Sequence, residues 1–329
     1  MPWDPIQLND GREIPSIGFG TWKLGNGDGP ISQVDQAISL GFSHVDTAQS
    51  YRNETEAGTA IRESGLARKE IFITTKYSGL DGLDIKTSIK NSLKNVRRFS
   101  FSFLLGGGAC REEFLGVDYV DLYLIHHPRL AVPDIPTAWK EMEEIKEQGL
   151  VKSIGVSNFE VSDLAILLAS AKVQPVANQI LLHPYVYARQ LPILEYAAKH
   201  KIVIEAYSAL IPVTSLPGGP VDAPVKAIAD RLGVSNDQVL LAWTKAKGAV
   251  VVTTSSKKER LLGYINAGDL ALTEDDIAAI DAAGAKGPPF IPFTRKTIVR
   301  WAVATIVASL AGGVLSMCLE DYMIQRSKQ

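Results

Sequence analysis

The chain has 329 residues, with 34 Lys+Arg against 36 Asp+Glu and a net charge of −2. That length suffices for one large α/β domain with a full core, and the balanced charge disfavours a nucleic-acid or polyacidic partner. Two cysteines, Cys110 and Cys318, match no metal or redox spacing, so no metal site is expected and a reducing compartment is.

In chain order, Met1-Pro2-Trp3-Asp4-Pro5 lacks the basic and apolar regions of a secretory signal. Ile6 to Ile17, with Asn9-Asp10-Gly11 at its middle, predicts a β-hairpin. Apolar runs then recur near 16–20, 43–46, 71–76, 120–125, 152–156, 176–180, 202–206 and 249–253. Amphipathic helical stretches separate them, such as Ile135 to Gln148 and Ala188 to Lys199. Eight strand–helix units predict a (β/α)8 TIM barrel over residues 1–286 rather than an open sheet. Gly25, Gly27 and Gly29 read as a loop, and no Gly-x-Gly-x-x-Gly follows the first strand, which disfavours a Rossmann fold.

Residues 287–300 read as a linker, and Trp301 to Leu319 then runs 19 residues without a charge. As a helix it would span about 28 Å, close to the hydrocarbon thickness of a bilayer. Soluble helices of this length carry a polar stripe, so a single transmembrane helix is expected, followed by a short tail at 320–329. Arg295, Lys296 and Arg300 precede the run, which keeps the barrel on the cytosolic side of the membrane.

The chemistry concentrates at strand ends. Asp46 follows one apolar run, with Tyr51 five residues later; Lys76 ends the next, and His126 closes a third. Catalytic groups of a βα barrel sit at the carboxyl ends of its strands. Taken singly, each residue has an ordinary reading: Asp46 as a turn or cap, Tyr51 as packing, Lys76 as a solvated strand end, His126 in competition with His127. The four types on three successive strand ends form a set.

That set resembles the catalytic tetrad of the aldo-keto reductase family, over about residues 6 to 285. The resemblance implies NADPH-dependent reduction of an aldehyde or ketone, with NADH left open. Tyr51 would protonate the developing alkoxide. Lys76, held by Asp46, would lower the tyrosine pKa from its ordinary value near 10, and His126 would orient the substrate oxygen. Thr21, Ser157, Asn158, Gln179, Tyr207 and Ser208 would contact the cofactor, with Ser157, Asn158 and Gln179 on the nicotinamide amide and Tyr207 stacked on its ring. Thr254, Ser255 and Arg260 would meet the adenosine 2′-phosphate. Trp22, Tyr77 and His127 would wall the substrate pocket.

The chain departs from the family pattern in four places. Thr254 stands where a lysine is usual, with Lys257 or Lys258 as candidate substitutes, and Leu181 replaces a frequent glutamate. The stretch from Gly287 to Phe293 is short, which leaves the pocket open and the substrate undefined. Residues 96–114 interrupt the passage from a helix to the fourth barrel strand. That segment has no amphipathic period and reads as translated intron sequence, with a true surface insertion as the alternative. Its Gly106-Gly107-Gly108 is no phosphate loop, since no Lys-Ser/Thr follows. The expected partners are a small carbonyl compound and, through 301–319, a membrane, with the barrel monomeric. The competing functional reading is a nucleotide-binding regulatory module at a membrane, with little turnover.

Overall fold

The computed structural model describes residues 3–96 and 118–289. The expectations for residues 97–117, for most of the linker and for the apolar run 301–319 therefore lie outside the described residues. Among the described residues, no helix is long and apolar enough to cross a membrane.

All eight apolar runs become strands of one closed parallel barrel. After the antiparallel hairpin β1 (Ile6–Gln7) and β2 (Glu13–Ile14) come β3 (Ile17–Gly20), β4 (His44–Asp46), β5 (Phe72–Tyr77), β6 (Val120–Ile125), β7 (Val151–Ser157), β8 (Ala177–Leu181), β9 (Val203–Tyr207) and β10 (Val250–Thr253). They pair in chain order, and β10 closes onto β3 with Val251 opposite Ile17. Alternation sorts the side chains. On β6, Leu122 and Leu124 point inward, where they pack with Leu8 and Ile14 of the hairpin region. Tyr123 and Ile125 join the larger apolar layer under the helices, and the Tyr123 hydroxyl donates to Ser88 Oγ at 3.1 Å. The hairpin, itself expected, thus seals the end of the barrel opposite the tetrad. Asp10 fixes it there by accepting from Ser153 Oγ and Lys146 Nζ.

Gly155 on β7 is required by a close approach. A Cβ there would lie 2.8 Å from both the Ala177 carbonyl oxygen and Leu124 Cδ2, so only glycine lets β7 and β8 meet beneath Ser157.

Two helix expectations shift. The helix expected from Ala188 begins at Pro184, because proline suits the first helical turn where its missing N–H costs nothing. Gly29, read as loop, lies in the first turn of the helix Asp28–Ser39, with Gly27 as the residue before it. The helix Ile135–Glu147 matches its expected span; Asp134 caps it by accepting from the Thr137 N–H at 2.8 Å.

Candidate active site

Strand ends β4, β5 and β6 bring the four tetrad residues together. Asp46 and Lys76 are buried, with Lys76 Nζ 2.6 Å from Asp46 Oδ1. The same ammonium donates to the Thr47 carbonyl at 3.0 Å and to the Tyr51 hydroxyl at 3.4 Å. Tyr51 ends a short 3₁₀ turn, Gln49–Tyr51, closed by Arg52 in the left-handed region at φ 59°. Its ring lies edge-on to His126, with centroids 5.6 Å apart, and 4.9 Å from Trp22. Trp22 is 54% exposed and free to meet a substrate.

The electrostatics refine one expectation. Burial pushes the Tyr51 phenol above its ordinary value; Lys76 pulls it down and Asp46 pushes it up, and the net shift is upward rather than downward. Tyr51 therefore stands protonated, as a proton donor must. For Lys76, burial disfavours the charge, but Asp46 and Tyr51 more than offset it and the ammonium is held. Burial, aided by the Lys76 charge, drives His126 down to about 3, so its imidazole is neutral.

The residues expected at the cofactor are linked to one another. Ser157 Oγ donates to the Gln179 carbonyl at 2.8 Å, and Asn158, left-handed at φ 61°, donates through Nδ2 to the His126 carbonyl at 3.1 Å. The Tyr207 hydroxyl donates to Asn158 Oδ1 at 2.8 Å, and Ser208 follows it in the left-handed region. Gln179 Nε2 donates to Asp46 Oδ2 at 2.8 Å. Thr21 Oγ1 donates to Asn53 Oδ1 and Asn53 Nδ2 donates to the Thr21 carbonyl, which ties the Trp22 loop to the Tyr51 turn. Past β10, Thr254 is exposed, and Ser255 Oγ accepts from the Lys257 N–H at 3.1 Å. Arg260 is engaged by Asp237, with Nη2 2.7 Å from its carboxylate.

Two of the expected substrate walls part company. His127 is half-buried beside the mouth, its Nδ1 accepting from the Arg129 N–H at 3.3 Å. Tyr77 is not at the mouth. The alternation that turns Lys76 into the barrel turns its neighbour outward; Tyr77 lies in the apolar layer and donates its hydroxyl to the Leu83 carbonyl at 2.9 Å. A pocket-wall role for Tyr77 does not follow from this placement.

Three polar residues at the site escaped sequence reasoning. Ser50 and Ser78 lie against His126. Glu205 is fully buried below Gln179, whose Nε2 stands 3.4 Å from Glu205 Oε2, while Oε1 has no partner among the described residues. The one available signal was a glutamate inside an otherwise apolar strand, Val203-Ile204-Glu205-Ala206. Burial, and then the Asp46 charge, push its carboxyl up to about 8. Between about pH 4.5 and 8 the folded protein thus holds a proton that the unfolded chain has released, so stability falls as pH rises through that window. Glu205→Gln should gain on the wild type in thermal melts from about pH 5 to pH 8, with a constant difference above. Parallel melting curves across this range would mean that Glu205 is already ionised.

The comparisons with known proteins agree with this geometry. The profile of the Aldo/keto reductase family matches residues 16–105 and 111–215. The NAD/NADP-dependent indole-3-acetaldehyde reductase of Schizosaccharomyces pombe is 34% identical over 281 residues, 82% of this chain and 91% of that protein. The chain belongs to the aldo-keto reductase family. Methylglyoxal reductase DkgA of Escherichia coli is another relative, 33% identical over 86% of this chain and 95% of its own. Among solved structures, an aldo-keto reductase of Bombyx mori in complex with NADP superposes with a TM-score of 0.73 at 30% identity, covering 85% of this chain and 92% of that one. An aldo/keto reductase from Brucella melitensis gives 0.72 at 35%, covering 85% and 99%. As in other barrels, the tetrad of this aldo-keto reductase gathers at the carboxyl ends of the strands.

Proposed function

We propose that this aldo-keto reductase reduces an aldehyde or ketone to the alcohol at the expense of NADPH, with NADH accepted as well. The observation that carries this reading is the buried Asp46–Lys76 pair with its ammonium at hydrogen-bond distance from the Tyr51 hydroxyl. The Ser157 hydroxyl, the Asn158 and Gln179 carboxamides and the Tyr207 ring, cross-linked to one another at the ends of β7, β8 and β9, are the side-chain types that would meet a planar ring bearing an amide once they exchange internal partners for it. A reduced nicotinamide bound there would supply the hydride. Tyr51 holds the proton for the carbonyl oxygen; Lys76 stabilises the phenolate left behind, and Asp46 fixes Lys76. Neutral His126 orients the oxygen toward Tyr51, while Trp22 and His127 flank the mouth.

At the nucleotide's far end, Arg260, Ser255 and the exposed Lys257 and Lys258 would receive a 2′-phosphate in spite of the uncharged Thr254. Because Asp237 already engages Arg260, the preference for NADPH should be moderate. Arg260→Ala should raise KM for NADPH about tenfold, the size of one charge-assisted hydrogen bond, and leave KM for NADH nearly unchanged. Equal effects on both nucleotides would remove Arg260 from phosphate recognition.

Residues 301–319 anchor the protein in a membrane with the barrel in the cytosol, supported by the 19 uncharged residues and the basic flank. Carbonate-resistant sedimentation with membranes tests the anchor; release into the wash would sink it.

Following NADPH and NADH oxidation by the full-length, detergent-solubilised protein, against a panel of aldehydes and ketones, tests the reaction. Turnover is expected. Tight nucleotide binding without turnover would instead select a regulatory module.

A further inference from the structure

His126 is held from behind by two hydroxyls on the loops that carry its partners. Ser50 immediately precedes Tyr51, and Ser78 lies two residues past Lys76. Ser78 Oγ is 3.1 Å from His126 Nδ1, and Ser50 Oγ is 3.4 Å from the same nitrogen. The Ser50 backbone N–H donates to Ser78 Oγ at 3.3 Å.

Hydrogen counting decides the direction. A serine hydroxyl has one proton to give and two lone pairs. Ser78 Oγ already accepts from Ser50 N–H, and its proton can go to His126 Nδ1 at 3.1 Å or to the Lys76 carbonyl at 3.5 Å. The shorter contact is the one to the imidazole. In the opposite arrangement Nδ1–H would donate to Ser78 and force its proton onto the longer contact. It would also leave Nε2, which makes no hydrogen bond among the described residues, as a bare acceptor. Such a histidine could not donate to a carbonyl oxygen.

We propose that Ser78, supported by Ser50, is a positioning residue that donates to Nδ1 of His126 and so fixes the imidazole proton on Nε2, the nitrogen left to hydrogen-bond the substrate's carbonyl oxygen. The low proton affinity of His126, caused by burial and the Lys76 ammonium, keeps the ring in the neutral form to which the tautomer choice applies. The groups acting on that ring are Lys76, Asp46, His127 and Arg129. None of them hydrogen-bonds Nδ1, so among the described residues the two serines are what set the tautomer. The Tyr51 turn and the β5 end thus share one hydrogen-bonded unit with His126. This assignment rests on the reductase reading above.

The test is nitrogen-15 NMR of the histidine rings in full-length protein, with His126 identified by the signal lost in His126→Asn, alongside steady-state kinetics. The wild type should show His126 protonated on Nε2 and bare on Nδ1. Ser78→Ala should give a mixture of tautomers and lower kcat about tenfold, the low end of what loss of the partner behind a metal-bound histidine costs. Ser78→Thr, which keeps the hydroxyl, should restore both. Ser50→Ala should have a smaller effect in the same direction. A wild-type ring protonated on Nδ1, or a Ser78→Ala protein with unchanged tautomer and kcat, overturns the assignment. Wild-type protein that reduces no carbonyl would overturn the reductase reading instead, while the ring spectra would still decide the tautomer.

Discussion

Tyr51→Phe should cripple carbonyl reduction while leaving the fold intact. General acid catalysis contributes roughly 10²–10⁴-fold, and the loss in kcat should fall in that range. The substitution removes only the hydroxyl. The ring keeps its contacts with Trp22 and His126 and its place 5.1 Å from the Lys76 ammonium. Lys76 still donates to Asp46 and to the Thr47 carbonyl, so no buried charge is orphaned. Nucleotide affinity, followed by fluorescence quenching, and the melting temperature should both stay near wild type. A variant that retains a third or more of the wild-type kcat would remove Tyr51 from the role of proton donor.

Asp46→Leu should produce the largest loss of stability. It leaves a fully buried ammonium without its counter-charge and deprives Gln179 Nε2 of its best acceptor. Breaking one side of a buried pair costs about 3–5 kcal/mol, a drop of roughly 6–10 °C at the low end of sensitivity expected for a large domain. The loss should shrink with rising pH. Without Asp46 the folded pKa of Lys76 falls below the unfolded one, so the unfolded chain binds the extra proton and stability rises with pH. The double variant Asp46→Leu/Lys76→Met should regain most of the stability, because an apolar pair can replace a buried ion pair at little cost, yet remain inactive. Equal melting temperatures for the single variant and the wild type would show that the pair is solvated. An active double variant would contradict the assigned chemistry.

The barrel and the tetrad were legible in the sequence for related reasons. Strands buried on both faces read as unbroken apolar runs, and a charged or polar residue at the end of such a run stands out. Tyr77 falls outside the mouth because a two-residue period sends it to the side of β5 opposite Lys76, and the resemblance alone does not say which side of the strand each neighbour faces. The direction of the Tyr51 shift was missed because sequence reveals the lysine beside the phenol but not the depth of its burial. Ser50, Ser78 and Glu205 were invisible for a further reason: each matters only through a partner on another strand or loop, and barrel closure decides which partner that is. Pro184 did carry a readable signal, a proline after His183 at a helix start, that the apolar periodicity alone passed over.

The seam between β3 and β10 has a consequence for how the protein is made. Ile17 finds its partner Val251 roughly 230 residues later in the chain. At a synthesis rate of about 5–20 residues per second, the first barrel strand waits roughly 10–50 s for the strand that closes on it. Throughout that interval the nascent sheet carries an open edge at β3, a template for unwanted pairing. A ribosome that terminates before β10 would therefore release an open barrel lacking its closing strand, and cells making this protein should depend on holdase chaperones until β10 is made.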